Sequence, residues 1–307
     1  MDRRTFIAAG STALVGSLLG HPLRADAAPG GLSVRATSGR PLITPNNKFF
    51  VYSQQRDPEK TPTGVQIDGL VNTPARYSLD DLAKLPVVKK IMTLECFSNT
   101  AGGALLFNTP FEGVLLSTLF DKAGLKPEAK SVRVETSDGH APFVLPLSEV
   151  QRPMTMLVSK HGSEIIPLRH GSPFTRLFIP GAGGNHHPKW VTRITAIAND
   201  SKAHDAPPMA GFIDPPPPAA RGSMAGVKLT GYAFSGPEAV GKVEVSTDNG
   251  YTYRAMPLPA QPDPDVWITF DLTFTPPEPG FYVLRIKATS ANGRKQDFPG
   301  VIAVQIS

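Results

Sequence analysis

A single cysteine, Cys96, stands among 307 residues. No disulfide can therefore form within the chain, and an odd cysteine points either to pairing between chains or to a reactive role. The same count excludes a CxxC redox pair and a CxxCH haem motif, so any haem must lie on another protein. HExxH is absent, as is a GxGxxG after a strand, which leaves a zinc peptidase or a dinucleotide fold without support. No basic run with interleaved aromatics occurs, so nucleic acid is not expected as a partner. The apolar run Phe6–Leu19 is shorter than the ~20 residues of a membrane-spanning helix.

Proline and glycine are plentiful, at 32 and 28 residues, which favours turns and short strands over long helices. Residues 1–27 read as an export signal: Arg3-Arg4, then the apolar run, then Ala25-Asp26-Ala27 as a cleavage site. An N-terminal anchor helix is the alternative. A twin arginine marks the route that exports proteins already folded, so the expected location is the periplasm, and a cofactor inserted before export is expected. Cleavage removes three arginines and two aspartates, taking the net charge from +5 to +4. That mild excess permits an anionic substrate or an acidic redox partner.

Short strand candidates stand at Val65–Val71, Lys89–Glu95, Ser131–Thr136, Met156–Lys160, Thr175–Ile179 and Trp190–Ala198. Ser78 as N-cap predicts a short helix over SLDDLAKLP, and LLSTLFDKAGL predicts another ending at Gly124. The mixture gives an α+β domain over residues 28–205. Composition shifts at Ala206–Pro218, which ends in four prolines, and the boundary falls there. Residues 206–307 alternate strictly, with Asp248-Asn249-Gly250 as a tight hairpin turn, and suggest an immunoglobulin-like β-sandwich.

Two blocks carry chemistry. In TLECFSNTAGG, Cys96 ends a strand and is followed by polar, turn-forming residues, a place where a thiolate can meet a metal. In IIPLRHGSPFTRLFIPGAGGNHHPKW, cations, histidines and glycines crowd together. Their spacing fits a loop around a phosphate-bearing ligand, and it equally fits a solvated loop with an adventitious metal site at His186-His187. A non-enzymatic exported binding module, with His186, His187 and Trp190 as contacts and an inert Cys96, is the reading from a different class.

Leu94, Cys96 and Asn99, then His170-Gly171-Ser172-Pro173, then Arg176 with Pro180-Gly181, then Lys189-Trp190, together resemble the ordered motifs of the sulfite oxidase family of molybdenum enzymes. The resemblance spans roughly residues 41 to 300, and the sandwich resembles that family's dimerisation domain, implying a possible homodimer. It implies a molybdenum–molybdopterin cofactor with Cys96 as metal ligand. Tyr52, Gln54, Ser137, Asp138, His170, Arg176, His187 and Lys189 are implied as cofactor-binding residues, with Tyr52 the one candidate for a catalytic role. It further implies two-electron oxo transfer, sulfite oxidation to sulfate first, with electrons passing to a periplasmic carrier such as cytochrome c. Sulfite-oxidising members carry F-x-R-N-H where this chain has Phe50-Val51-Tyr52-Ser53-Gln54, and an arginine common after the cysteine is missing, because Asn99 leads into Thr100. One extra residue separates Pro173 from Arg176 relative to the family pattern. The missing arginines keep reduction of a sulfoxide or another small oxide as the competing reaction.

Overall fold

The structure, a computed structural model, describes residues 31–35, 43–51, 58–103, 105–214 and 219–307. The export signal, Tyr52, Gln54 and the four prolines 215–218 lie outside the described residues. Strand β1 (Gly31–Arg35) groups with the C-terminal strands. One compact unit comprises Ile43–Phe97 and Leu106–Ala206, and the other takes in Ser98–Leu105 and Pro207–Ser307.

The first unit holds β2 (Gly64–Gly69), β3 (Ala75–Ser78), β4 (Val87–Glu95), β5 (Leu106–Leu115), β6 (Ser131–Thr136), β7 (Phe143–Pro146), β8 (Met156–His161), β9 (Glu164–Ile165), β10 (Arg176–Phe178) and β11 (Val191–Ile197). They form two sheets, ordered β3-β2-β11-β6-β7 and β10-β8-β5-β4, with β9 added beside β8. Their α-helices are short: α1 (Leu79–Ala83), α2 (Leu116–Ala123) and α3 (Leu147–Val150). Helix α1 starts at a capping box in which Ser78 and Asp81 exchange side-chain and backbone hydrogen bonds. Helix α2 buries Leu116, Leu119, Phe120 and Ala123 at helical spacing and stops at a left-handed Gly124. The unit is thus mostly strand, more so than the expected α+β mixture.

Strand β5 is the main element that sequence patterning misses. It carries Pro110 and two fully buried polar residues, Asn108 and Thr109, which break the alternation of an apolar strand. Its partner β4 compensates, because Thr93 Oγ1 donates to Asn108 Oδ1 at 3.0 Å.

The second unit also has two sheets, built from β12 (Met209–Asp214), β13 (Ala219–Gly222), β14 (Val227–Phe234), β15 (Val240–Ser246), β16 (Arg254–Ala255), β17 (Ile268–Thr275), β18 (Gly280–Ser290) and β19 (Gly300–Ile306). Their orders are β1-β17-β14-β12 and β13-β19-β18-β15-β16. Alternate residues of both, Phe212, Leu229, Phe270 and Phe274 facing Val243, Leu284, Ile286 and Ile302, make one apolar core. The expected tight turn at Asp248–Gly250 is a wider loop: Ser246 Oγ accepts from Gly250 N–H, and Asp248 accepts from Thr252. These side chains take the N–H groups that a two-residue hairpin would pair across strands. Among the described residues no helix is long and apolar enough to cross a membrane.

Candidate active site

Strand β4 runs from exposed Val87 into the interior, where its last four residues are all buried. It delivers Cys96 at 5% exposure and in no disulfide. The sulfur residue lines an open cleft of about 820 Å³, counting space continuous with solvent. Phe50, Val51, Leu94, Phe97 and Phe143 supply apolar wall, and Asp138, His140, Arg169, His170, Arg176, Asn185, His187 and Lys189 supply polar groups.

The cationic side is built by a strained turn. A 3-10 turn at Leu168–His170 ends on Gly171 with φ +118°, followed by left-handed Ser172 and Phe174. A Cβ on Gly171 would stand 2.8 Å from Arg176 Cβ, so this position is reserved for glycine. The reversed chain then places Arg176 on β10, where its Nη1 donates to His170 O at 2.9 Å. Trp190, also left-handed and fully buried, donates from Nε1 to Leu168 O at 2.7 Å and locks the turn from below. Lys189 Nζ lies 4.3 Å over that indole and donates to Arg169 O, within cation–π reach.

Electrostatically the site awaits an anion. Arg176 is only 9% exposed, its Nε is buried without a hydrogen-bond partner, and among the described residues no carboxylate pairs with it. Burial pulls its pKa down to about 10. Burial and then the Arg176 charge hold His170 and His187 at about 3 and His161 at about 4, so all three rings are neutral at neutral pH. An unpaired buried guanidinium is costly unless an anion joins it.

Residues 55–205 match the family model described as oxidoreductase molybdopterin binding domain. The chain is 26% identical to rat mitochondrial sulfite oxidase over 271 residues, covering 70% of this chain and 49% of that protein. The chain belongs to the sulfite oxidase family of molybdopterin oxidoreductases. It is also 28% identical over 182 residues to the protein-methionine-sulfoxide reductase catalytic subunit MsrP of Pseudomonas syringae, covering 51% of this chain and 52% of that one. In fold it resembles the sulfane dehydrogenase SoxCD of Paracoccus pantotrophus, with a TM-score of 0.67 over 78% of this chain and 70% of that one at 24% identity. The chain spans about half the length of the curated relatives it matches.

A family member carries a molybdenum cofactor, and the cleft fits that group: a lone sulfur stands at one side, and an anion-seeking Arg176 lines the same space. Of the residues expected at the site, Cys96, Asp138, His170, Arg176, His187 and Lys189 line the cleft together. Ser137 does not line it; its N–H donates to Trp190 O at 3.0 Å. His187 presents its ring but not its nitrogens: Nδ1 accepts from Ile179 N–H and Nε2 donates to Ala182 O. It therefore holds the glycine-rich loop in place. His186 and His187 turn to different partners, and among the described residues no group of three or more His, Cys, Asp or Glu is arranged to hold a metal ion. Sequence reasoning passed over Arg169, His140 and Asn185, which lie beside the motifs, and His161, which no motif marks. His161 is buried, its ring 5.0 Å from that of His170, and neither of its nitrogens has a partner among the described residues.

Glycine 184 explains why the second block sits where it does. A Cβ there would be 2.9 Å from Glu95 O and 3.0 Å from Cys96 Cα. Only a residue without a side chain lets the loop lie against the strand end that bears the sulfur.

Proposed function

We propose that this family member is an exported enzyme catalysing two-electron oxo transfer on a small sulfur compound, with sulfite oxidation to sulfate as the first reaction. The observation that carries the reading is the buried Arg176 guanidinium, without an acid partner, in the cleft that Cys96 lines. When bound, the molybdenum cofactor supplies a metal centre able to take up two electrons. Cys96 is the protein thiolate for that metal, a soft ligand suited to it. Arg176, His170 and Lys189 hold the cofactor's phosphate by charge and hydrogen bonding. Asp138 has its carboxylate fixed by Thr136 Oγ1 at 2.6 Å and His140 N–H at 3.2 Å, and accepts from N–H donors of the pterin. Ser137 supports it through the backbone. Tyr52 and Gln54 are proposed at the site on the family resemblance alone. The aromatic wall of Phe50, Phe97 and Phe143 limits the water that surrounds these groups and strengthens them.

Sulfite and water become sulfate, two protons and two electrons, and the electrons leave singly to a cytochrome c on another protein. Export by the twin-arginine route places the enzyme in the periplasm. The second unit is proposed as an immunoglobulin-like sandwich serving as a homodimer contact. Strands β12 and β13 lie in different sheets, and β13 runs parallel to β19, which supports the sandwich reading.

A second reaction is favoured by one specific departure: Tyr52 and Gln54 stand where sulfite-oxidising members have arginine and histidine. Each charge-assisted bond is worth about 1.5–3 kcal/mol, so their loss favours a neutral substrate such as a sulfoxide. Steady-state rates on sulfite and on methionine sulfoxide separate the two. Inactivity on sulfite at millimolar levels sinks the first, and the absence of molybdenum from protein made in a molybdenum-replete host sinks both.

A further inference from the structure

Beside the cleft, Asn185 joins Glu149, His186 and His204 in a cluster linked by hydrogen bonds and one ring stack. Glu149 is fully buried in α3, and both its carboxylate oxygens lie 2.9 Å from Nδ1 of His186. That nitrogen therefore holds the proton and donates. The His186 ring stacks on His204 with centroids 4.6 Å apart and planes 17° from parallel. His204 Nδ1 in turn lies 2.8 Å from Nδ2 of Asn185. An amide NH2 group only donates, so this Nδ1 is an acceptor and His204 is protonated on Nε2.

With its nitrogen held against His204, the Asn185 amide leaves its oxygen as its one acceptor for another group. Asn185 Oδ1 is buried and has no partner among the described residues. Asn185 lines the same cleft as Cys96 and follows Gly184, the residue packed against Cys96 Cα. A carbonyl oxygen repels phosphate and attracts N–H, so this wall complements the anion-seeking Arg176.

We propose that Asn185 is a further cofactor-binding residue whose Oδ1 accepts a hydrogen bond from an N–H of the pterin ring system, and that Glu149, His186 and His204 are positioning residues that hold the amide in that orientation. The inference rests on the reading that molybdopterin occupies the cleft. Molybdenum, with its charge, is served by Cys96, while the ring is recognised by Asn185.

The test uses the full chain purified from a molybdenum-replete host, with release of pterin during incubation followed by its fluorescence. Asn185→Ala is expected to release pterin about five- to tenfold faster than the unaltered protein. His204→Phe keeps a ring against His186 but removes the acceptor for the amide, and is expected to speed release by a smaller factor. The thermal midpoint of the cofactor-free protein should stay within a degree or two in both variants, which separates ligand loss from misfolding. Release at the original rate from a well-folded Asn185→Ala overturns the inference while leaving the cofactor reading intact. So does a rise in substrate KM with unchanged pterin retention, which would assign Asn185 to the substrate. An unaltered protein that carries neither molybdenum nor pterin overturns both.

Discussion

Nη1 of Arg176 donates to the carbonyl oxygen of His170 at 2.9 Å, while Nε of the same guanidinium is buried with nothing to bond. One edge of the side chain is thus spent on folding the turn, and the other is the edge proposed to meet the cofactor. Arg176→Met removes a desolvated charge at similar volume but also the bond to His170 O, so the two effects offset and the cofactor-free protein should be about as stable as before. Its molybdenum and pterin content should fall several-fold. Equal content in the two proteins, measured by metal analysis and pterin fluorescence, would contradict the role given to this edge.

Cys96→Ser exchanges a soft sulfur for a hard hydroxyl in a site of 5% exposure. The fold should survive with a cost of about 1–3 kcal/mol for the buried hydroxyl, and turnover should vanish. Circular dichroism and steady-state assay of the same preparation check it, and a variant retaining most of its activity removes Cys96 from the metal.

Acid should destabilise the cofactor-free protein before its carboxylates matter. His161, His170 and His187 are held neutral by burial and by the Arg176 charge, at about 4, 3 and 3 against an ordinary 6.5. As pH falls below 6.5 the unfolded chain takes up protons that the folded one refuses, so stability is full above that value and is lost toward pH 4. With three rings the slope approaches ~4 kcal/mol per pH unit near pH 5. Urea midpoints at pH 7, 6 and 5 should fall accordingly. His161→Phe should flatten the slope by about a third, since that ring has no hydrogen bond to lose.

Gly184→Ala tests the close approach to the sulfur-bearing strand end. The new methyl meets backbone atoms, Glu95 O at 2.9 Å and Cys96 Cα at 3.0 Å, which cannot swing aside. A loss of about 1–3 kcal/mol is expected, together with lowered cofactor content because Cys96 shifts. Thermal denaturation and metal analysis read the two effects separately.

Helices α1 and α2 and the strand that ends at Cys96 were legible because each has local punctuation: Ser78 caps α1, Gly124 stops α2, and turn residues follow Glu95. Two of the cleft's cations were legible too, since Arg176 and Lys189 lie close in sequence to the histidines they join. Strand β5 was not, because buried Asn108 and Pro110 in its middle find their partners elsewhere, Asn108 at Thr93 on β4 and Pro110 at Gly162, whose N–H donates to Pro110 O at 2.8 Å. His161 was hidden for the same reason. Its meaning arises only when β8 pairs with β10 and brings it beside Arg176. The family resemblance implied His187 as a cofactor-binding residue, and only the three-dimensional loop shows both its ring nitrogens committed to backbone.

The recessed position of Cys96 also answers the question raised by an odd cysteine, whether it pairs between chains or serves a reactive role. Two sulfurs must come within about 2 Å to bond, and a thiol at the foot of a cleft, 5% exposed, cannot meet its twin on another copy while both stay folded. Oxidative cross-linking is thereby barred by shape. The folded protein should migrate as a single chain on a non-reducing gel, and covalent dimers should form only after denaturation.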